Sequence, residues 1–369
     1  MHSPLLPCAG VRIADSGARA ALSDLLQRHG LDQAVQIQLQ PDADGRTGLV
    51  LALDAAHAAR WTPAHDTLDL AHQLGLDTRR DEDLDREILV AMLAAPVPLA
   101  FDSADELLSS LRVRRHIARA AARTELNFDT EMTERPAEDW VYDEAHGFLL
   151  RPGRELIDAL VRATQPAPAG ERYAVSCYRA SEYVILLGIA QELRAVNPAL
   201  LERLTQQCRH DAIRSARFHD CFLVELGSMQ APLPPLYLVP GDRLWFRNPE
   251  PVSADITGYE GSWVIYLGGG LFSNFWQRDR PYTLRAKALE IYHWRDGVVG
   301  PADAPQVDEA VVARHVAATL EDPAACERIL ERMLRLRDPK GEYLEGGCLD
   351  TTREYPRQLR PGTADLRLP

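Results

Sequence analysis

The segment "ERYAVSCYRASEYVILLGIAQEL", residues 171–193, places a cysteine between two polar residues just before a long apolar run. The run predicts a buried helix with Cys177 in its first turn. A cysteine there is close to the positive end of the helix dipole and to unpaired backbone N–H groups, which lower the pKa of a thiol. Free cysteines are also among the most often buried residues. The segment alone leaves two interpretations open, a nucleophile or a small core residue.

Helical patterns precede this segment and strand patterns follow it. Residues 103–123, "SADELLSSLRVRRHIARAAAR", open with Ser103 and Glu106 in capping-box spacing. Strand-like runs then occur between residues 221 and 276, among them "DRLWFRN" and "GSWVIYLG", with Pro- and Gly-rich turns between them. We therefore predict an α+β fold in which the cysteine-bearing helix packs on an antiparallel sheet.

Three regions are predicted along the chain. Residues 1–96 form an N-terminal α/β extension, with a helix after Ser16 and a hairpin that turns at Asp44-Gly45, and the prolines at 96 and 98 break the chain. Residues 97–300 form the core, in which Gly268-Gly269-Gly270 is predicted to be a hairpin turn. Residues 301–369 provide further helices and an irregular C-terminal arm rich in Pro, Gly, Arg and Asp.

Composition excludes several classes of partner. The 369 residues carry a net charge of −13, which disfavours nucleic acid and anionic membrane surfaces as partners. The longest apolar run is far shorter than the ~20 residues of a membrane span. Six cysteines without C-x-x-C spacing favour reduced thiols, and we expect a cytoplasmic protein.

Motifs for bound cofactors are absent. The sequence contains no Walker loop, no G-x-S-x-G, no H-E-x-x-H and no G-x-G-x-x-G entering a helix, and the 11 histidines show no metal spacing. We therefore expect no cofactor and no metal.

Lysine is scarce. Of 41 basic residues only Lys287 and Lys340 are lysines. A GC-rich coding background predicts this composition, and so does an enzyme that must not offer its own amines as acyl acceptors, because a guanidinium is a poor nucleophile. Composition alone does not separate the two explanations.

The Cys177 segment, together with "GDRLWFRNPEP" and "GYEGSWVIYLG", resembles the bacterial spore-coat protein-glutamine γ-glutamyltransferases, a transglutaminase family with a papain-like core. The resemblance covers about residues 97 to 295. It implies that Cys177 attacks a glutamine side-chain amide of a protein or peptide substrate, releases ammonia, and passes the acyl group to a lysine amine or to water.

The partners of the family's cysteine are not retained. Ser176 and Ser262 stand where the family has glutamates, and the family histidine aligns with Phe275 or, after a slip of one residue, Asn274. We therefore consider three residues as catalytic partners of Cys177: Asn274, and two residues elsewhere in the sequence that could replace the missing glutamates and histidine. Glu260 is two residues from Ser262 and so lies on the same strand face, and His219 lies just ahead of the matched strands.

Two functional hypotheses remain. The first is a cysteine enzyme, a transglutaminase or deamidase with a rearranged base, that uses Cys177, Glu260, His219 and Asn274. The second is a catalytically degenerate member of the family that keeps the fold and acts as a binding module.

Overall fold

Helices and a large antiparallel sheet make up the chain, as the α+β prediction required. The computed structural model describes residues 8–42, 44–129, 133–167, 170–301, 303–338 and 346–369. Its α-helices are α1 Arg19–Arg28, α2 Ala55–Trp61, α3 Leu70–Leu74, α4 Asp81–Leu93, α5 Ala104–Arg123, α6 Leu156–Thr164, α7 Cys177–Val196, α8 Pro198–His210, α9 Ala216–Phe222, α10 Pro251–Ala254, α11 Leu284–His293, α12 Glu309–Glu321 and α13 Pro323–Met333.

The strands of the described residues fall into one large and several small sheets. They are β1 Val11–Ile13, β2 Val35–Pro41, β3 Thr47–Leu53, β4 Leu99–Phe101, β5 Asn127–Phe128, β6 Trp140–Asp143, β7 Gly147–Leu150, β8 Ala174–Val175, β9 Leu223–Leu226, β10 Arg243–Arg247, β11 Gly261–Gly268, β12 Leu271–Phe272, β13 Tyr282–Thr283, β14 Val298–Val299, β15 Gln306–Val307 and β16 Arg353–Pro356.

The large sheet has six strands in the order β13-β12-β11-β10-β16-β9, and every neighbouring pair is antiparallel. The predicted turn at Gly268-Gly269-Gly270 joins β11 to β12, and all three glycines have positive φ, at 91°, 62° and 74°. These backbone angles favour glycine over any residue with a side chain. The glycine run is therefore a turn, as predicted.

Strand β16 comes from the C-terminal arm that the sequence predicted to be irregular. It lies between β10 and β9, with Glu354 opposite Arg243 and Glu225. Buried Arg353 donates hydrogen bonds to the backbone carbonyls of Tyr237 and Pro235. The strand is four residues long and its stability depends on contacts more than a hundred residues away in sequence, which a local pattern does not reveal.

The C-terminal arm is also fixed to the start of α5. Ser103 caps this helix as predicted, its Oγ accepting the N–H of Glu106 at 3.2 Å. The buried carboxylate of Glu106 accepts the backbone N–H groups of Leu359 at 3.2 Å and Arg360 at 2.8 Å. The arm is thus part of the folded core.

Helices α5 and α7 pack closely at a glycine. A Cβ atom on Gly188 would lie 2.5 Å from Ile117 Cγ1 and 3.0 Å from the Ile117 backbone nitrogen. Only glycine permits this approach, because real Cβ atoms do not come so close to other heavy atoms. The contact sets the position of α7 and therefore of its first residue, Cys177.

The N-terminal segment forms its own four-stranded sheet, in the order β2-β3-β1-β4. Strand β4 lies after the predicted boundary at residue 96 and pairs in parallel with β1. Glu87, on α4, is buried against the large sheet, where it accepts hydrogen bonds from the Tyr266 hydroxyl at 2.9 Å and from the Gly269 N–H at 3.0 Å. The regional boundaries stay predictions.

Among the described residues, none of the helices combines the length and apolar character that crossing a membrane requires.

Gly188→Ala tests the helix contact. Alanine normally favours a helix by about 1 kcal/mol over glycine, but the contact with Ile117 outweighs that gain, and we expect a net loss of about 1–3 kcal/mol in unfolding free energy. Denaturant titration measures it. In an Ile117→Ala background the same change should cost less, because Cγ1 is gone. Equal losses in both backgrounds would show that the Ile117 side chain does not contribute to the close contact.

Glu87→Gln tests the buried carboxyl. Burial raises the pKa of Glu87 to about 7 from 4.5, so the native protein holds a proton that the unfolded chain releases near pH 4.5. Unfolding free energy should therefore fall as the pH rises from about 4.5 to 7, by up to about 3 kcal/mol from this group. Glutamine removes this titration. Denaturant titrations at pH 4.5–8 should show the stability of the variant, relative to that of the wild type, increasing as the pH rises. Parallel profiles of unfolding free energy against pH would contradict the prediction.

Candidate active site

Cys177 is the first residue of α7, as the sequence predicted. Ser176 is the N-cap, and its Oγ accepts the backbone N–H of Arg179 at 3.3 Å. Cys177 is half-buried, whereas the other five cysteines are buried. Its position at the helix start follows from the capping serine and the apolar run behind it.

The Cys177 sulfur lies against strand β11. Burial raises the pKa of the thiol above its ordinary value, while the backbone N–H groups of Trp263, Tyr178 and Cys177 itself and the charge of Lys287 act in the opposite direction. The helix start was expected to lower this pKa. The net shift is upward because desolvation outweighs the N–H groups and the nearby cation.

A cavity of about 790 Å³ opens beside Cys177. Asn274, Tyr282, Lys287 and Glu290 line it, and the apolar side of α12 forms another wall. The cavity is large enough to take a side chain together with adjoining peptide backbone.

Lys287 is a buried cation in the lining of this cavity. Its side chain is 4% exposed, and Nζ donates to Glu290 Oε1 at 2.9 Å and lies 4.2 Å from the centroid of the Tyr282 ring. Burial by itself would lower the pKa of Lys287, but Glu290, Tyr282 and Cys177 outweigh it, so that the pKa lies above its ordinary value. Lys287 is therefore an ammonium ion that interacts electrostatically with the Cys177 sulfur.

A narrower cleft of about 250 Å³ also contains Cys177 in its lining. Its walls are aromatic, with the Trp263 ring 5.1 Å from that of Tyr178 and 6.1 Å from that of Trp245. Glu260 lies in the same cleft. Cys177 thus faces two spaces, one wide and charged and the other narrow and aromatic.

The structure brings two of the three candidate partners to Cys177. Glu260 is exposed at the cleft, and its Oε2 accepts the N–H of Gly258 at 3.0 Å. Asn274 lines the large cavity, but its side chain is used within its own loop: Nδ2 donates to the Arg280 carbonyl at 2.9 Å and Oδ1 accepts the Gln277 N–H at 3.1 Å. Glu260 is thus accessible for chemistry, whereas Asn274 holds a loop.

His219 lies elsewhere. It is on α9, and its Nδ1 lies 2.5 Å from Glu354 Oε1, which raises the pKa of the imidazole. Glu354 is also paired with buried Arg243. His219 does not line either space beside Cys177.

Sequence reasoning missed Lys287 and Glu290. Both lie on the helix predicted over residues 283–295, three positions apart, where an ion pair is an ordinary surface feature. One indication was available, since Lys287 is one of two lysines in a chain that otherwise uses arginine. That it lies beside Cys177 becomes visible only in the folded chain.

One group among the described residues could hold a metal ion. The donor atoms of His293, Asp296 and His315 lie within 4.8 Å of one another. However, both ring nitrogens of His293 are already bonded, Nδ1 with Asp296 at 2.6 Å and Nε2 with Thr319 at 2.8 Å. These bonds explain the orientation of the imidazole without a metal, and the group does not include Cys177.

Residues 66–366 match the family model of protein-glutamine γ-glutamyltransferases. The chain belongs to this family, which confirms the resemblance drawn from the Cys177 segment and supports acyl transfer on glutamine side chains of proteins. The match also extends beyond residues 97–295 at both ends.

A solved structure titled "Transglutaminase from Geobacillus stearothermophilus (without C-terminal extension)" is 20% identical, with a TM-score of 0.40, over 58% of this chain and 98% of that chain. No protein of curated function matches the chain.

We expect iodoacetamide to modify Cys177 before the other five cysteines, because Cys177 is half-buried beside two open spaces and the others are buried. Since its pKa lies above the ordinary value of 9.0, the rate should still increase with pH above 9. Peptide mapping after limited alkylation at several pH values measures both. Earlier labelling of any other cysteine would argue against an accessible Cys177.

Proposed function

We propose that this protein transfers the acyl group of protein glutamine side chains through a thioester on Cys177. The observation that carries the proposal is that Cys177 begins α7 at the wall of a cavity of about 790 Å³ which it shares with the buried ammonium of Lys287. A cysteine-first helix against an antiparallel strand supports a papain-like core. Six unpaired cysteines support a reducing compartment, and we propose the cytoplasm.

The first step forms the thioester. The raised pKa leaves Cys177 as a thiol in the resting site, so it first loses its proton to solvent. The thiolate, stabilised by the Lys287 ammonium, then attacks the carboxamide carbon of glutamine. As the C–N bond breaks, Lys287 gives a proton to the departing nitrogen, which leaves as ammonia. The products are the thioester and a neutral Lys287 amine.

The second step releases the acyl group. An amine or a water molecule attacks the thioester carbon and gives its proton to Lys287, and the C–S bond breaks. The Cys177 thiolate then takes a proton from solvent, which restores the resting thiol and the Lys287 ammonium. An amine as acceptor gives a cross-link, and water gives deamidation. Both outcomes use the same residues.

The proton transfers explain why this cation is a lysine. An arginine would supply the same positive charge to the thiolate, but a guanidinium does not lose its proton in a protein. Glu290 helps to keep the amine protonated in the resting site, at 2.9 Å from Nζ. Lys287 thus takes the acid-base role that a histidine has in related cysteine enzymes.

The degenerate binding module is the second candidate. It is favoured by the upward shift of the Cys177 pKa and by the use of Asn274 within its own loop. Glu260 stays a candidate base, since it shares the cleft with Cys177. Variants at these positions separate the possibilities.

Lys287→Arg should keep the charge and lose the proton transfer. We expect ammonia release from a glutamine-containing peptide to fall by about 10²-fold or more, while the pH dependence of Cys177 alkylation stays close to that of the wild type. Lys287→Met should lose turnover and also shift the alkylation profile to higher pH, because the thiolate loses its cation. Thermal unfolding of each variant checks that the fold is retained.

Cys177→Ala should abolish ammonia release. In the wild type, added cadaverine should become incorporated into the peptide if the acceptor is an amine. If Lys287→Arg keeps wild-type turnover and Glu260→Gln loses most of it, the acid-base role belongs to Glu260 and not to Lys287. A wild-type protein that binds glutamine peptides but releases no ammonia across a broad panel would leave the binding module as the function.

A further inference from the structure

A third cavity, of about 390 Å³, shares Ser176 and Tyr178 with the narrow cleft beside Cys177. We name it the arginine cavity. It is lined by α7, the β6–β7 hairpin and the loop that precedes α9. The residues that matter here are Arg135, Arg179, Glu182, Tyr183 and Arg214, with Ser176 and Tyr178 at the edge.

The charge of this cavity is positive, although the chain as a whole is acidic. Among the described residues that line it, three arginines face a single carboxylate, that of buried Glu182. Glu182 is already used: Arg179 Nη1 donates to its Oε2 at 2.6 Å, and the Ser215 N–H donates to its Oε1 at 2.6 Å. No other carboxylate among the described lining residues offsets the charges of Arg135 and Arg214.

Arg135 is 8% exposed and held between two rings. Its guanidinium lies 4.9 Å from the centroid of the Phe148 ring and 4.3 Å from that of Tyr183. Nη1 donates to the Glu134 carbonyl, whereas buried Nε has no hydrogen-bond partner. A buried, unpartnered donor on a cation is costly, and such groups are usually satisfied by a ligand, water or ion.

Arg214 lies at the rim of the cavity. Its side chain is exposed, and it makes no hydrogen bond or ion pair with the described residues. A fixed cation inside and a free cation at the rim suit a carboxylate, which can accept paired hydrogen bonds from a guanidinium. The aromatic walls add apolar contact for the carbon atoms of the same ligand.

The position of the cavity connects it to the nucleophile. Ser176 and Tyr178 line both the arginine cavity and the narrow cleft, and Cys177 lies between them in sequence. A peptide that presents a glutamine to Cys177 can thus place a neighbouring side chain in the arginine cavity.

We propose that the arginine cavity binds the carboxylate of an aspartate or glutamate that lies near the target glutamine in the substrate protein. The substrate class is then an acidic glutamine-containing segment. This proposal rests on the proposed function, because it assigns the cavity to the substrate of Cys177.

Binding to the full-length Cys177→Ala protein tests the proposal without turnover. The probes are glutamine peptides with a glutamate at one position between two and five residues from the glutamine, each paired with its neutral glutamine counterpart. Calorimetry should show at least one acidic peptide binding about 10- to 100-fold more tightly than its counterpart. Added salt should reduce this difference.

Arg214→Ala in the same background should remove much of the preference. Its matched control is Arg123→Ala, which changes an exposed arginine outside the cavity and should leave the preference intact. Arg135→Gln is the second variant, with thermal unfolding to confirm that it folds. Equal binding of acidic and neutral peptides at every position, or an unchanged preference in both cavity variants, would overturn the proposal.

Competition by free glutarate as strong as that by the acidic peptide would assign the cavity to a small carboxylate and overturn the substrate assignment. Turnover in the wild type without a preference for acidic peptides would reject the subsite and keep the proposed function. Preferential binding of acidic peptides without any turnover would reject the proposed function and keep the binding site.

Discussion

The contact between Gly188 and Ile117 determines where α7 lies, and the site depends on that position. Helix α5 contributes Ile117 and also holds two distant parts of the chain. Arg114 pairs with Asp242, both almost fully buried, at 2.6 Å just before β10, and Glu106 holds the C-terminal arm. Helix α7, the central strands and the arm are therefore fixed relative to a single helix, so that a shift of α5 would be transmitted to all three.

The electrostatics of the site follow from burial. Desolvation disfavours the thiolate of Cys177, and the protein opposes this with backbone N–H groups and one buried ammonium. Glu290 in turn makes it possible to bury Lys287 as a cation, because an unpaired buried charge would lose its proton instead. The charge of Lys287 thus depends on Glu290, and the pKa of Cys177 depends in part on Lys287.

Local patterns were sufficient to predict the start of α7, the cap of α5 and the glycine turn, since each is determined by residues a few positions apart. They were insufficient where distant segments meet. Glu354 binds His219 and Arg243 from a strand that the sequence did not predict, and Lys287 comes to Cys177 from 110 positions away. Family resemblance pointed to Cys177 as the nucleophile, which stays a proposal, and to partners that this chain does not retain.

The two kinds of cation in this chain perform different physical tasks. A guanidinium keeps its charge and presents paired donors. These properties suit the arginine cavity, where Arg135 lies between two rings and the proposed carboxylate binding requires no proton transfer. An ammonium is a compact charge that can lose a proton, which suits the neighbourhood of a sulfur that, in the proposed function, gains and loses an acyl group. Arginine replaces lysine almost everywhere else, so the proposed proton transfer, which arginine could not make, would give a reason for a lysine in the buried wall of the Cys177 cavity.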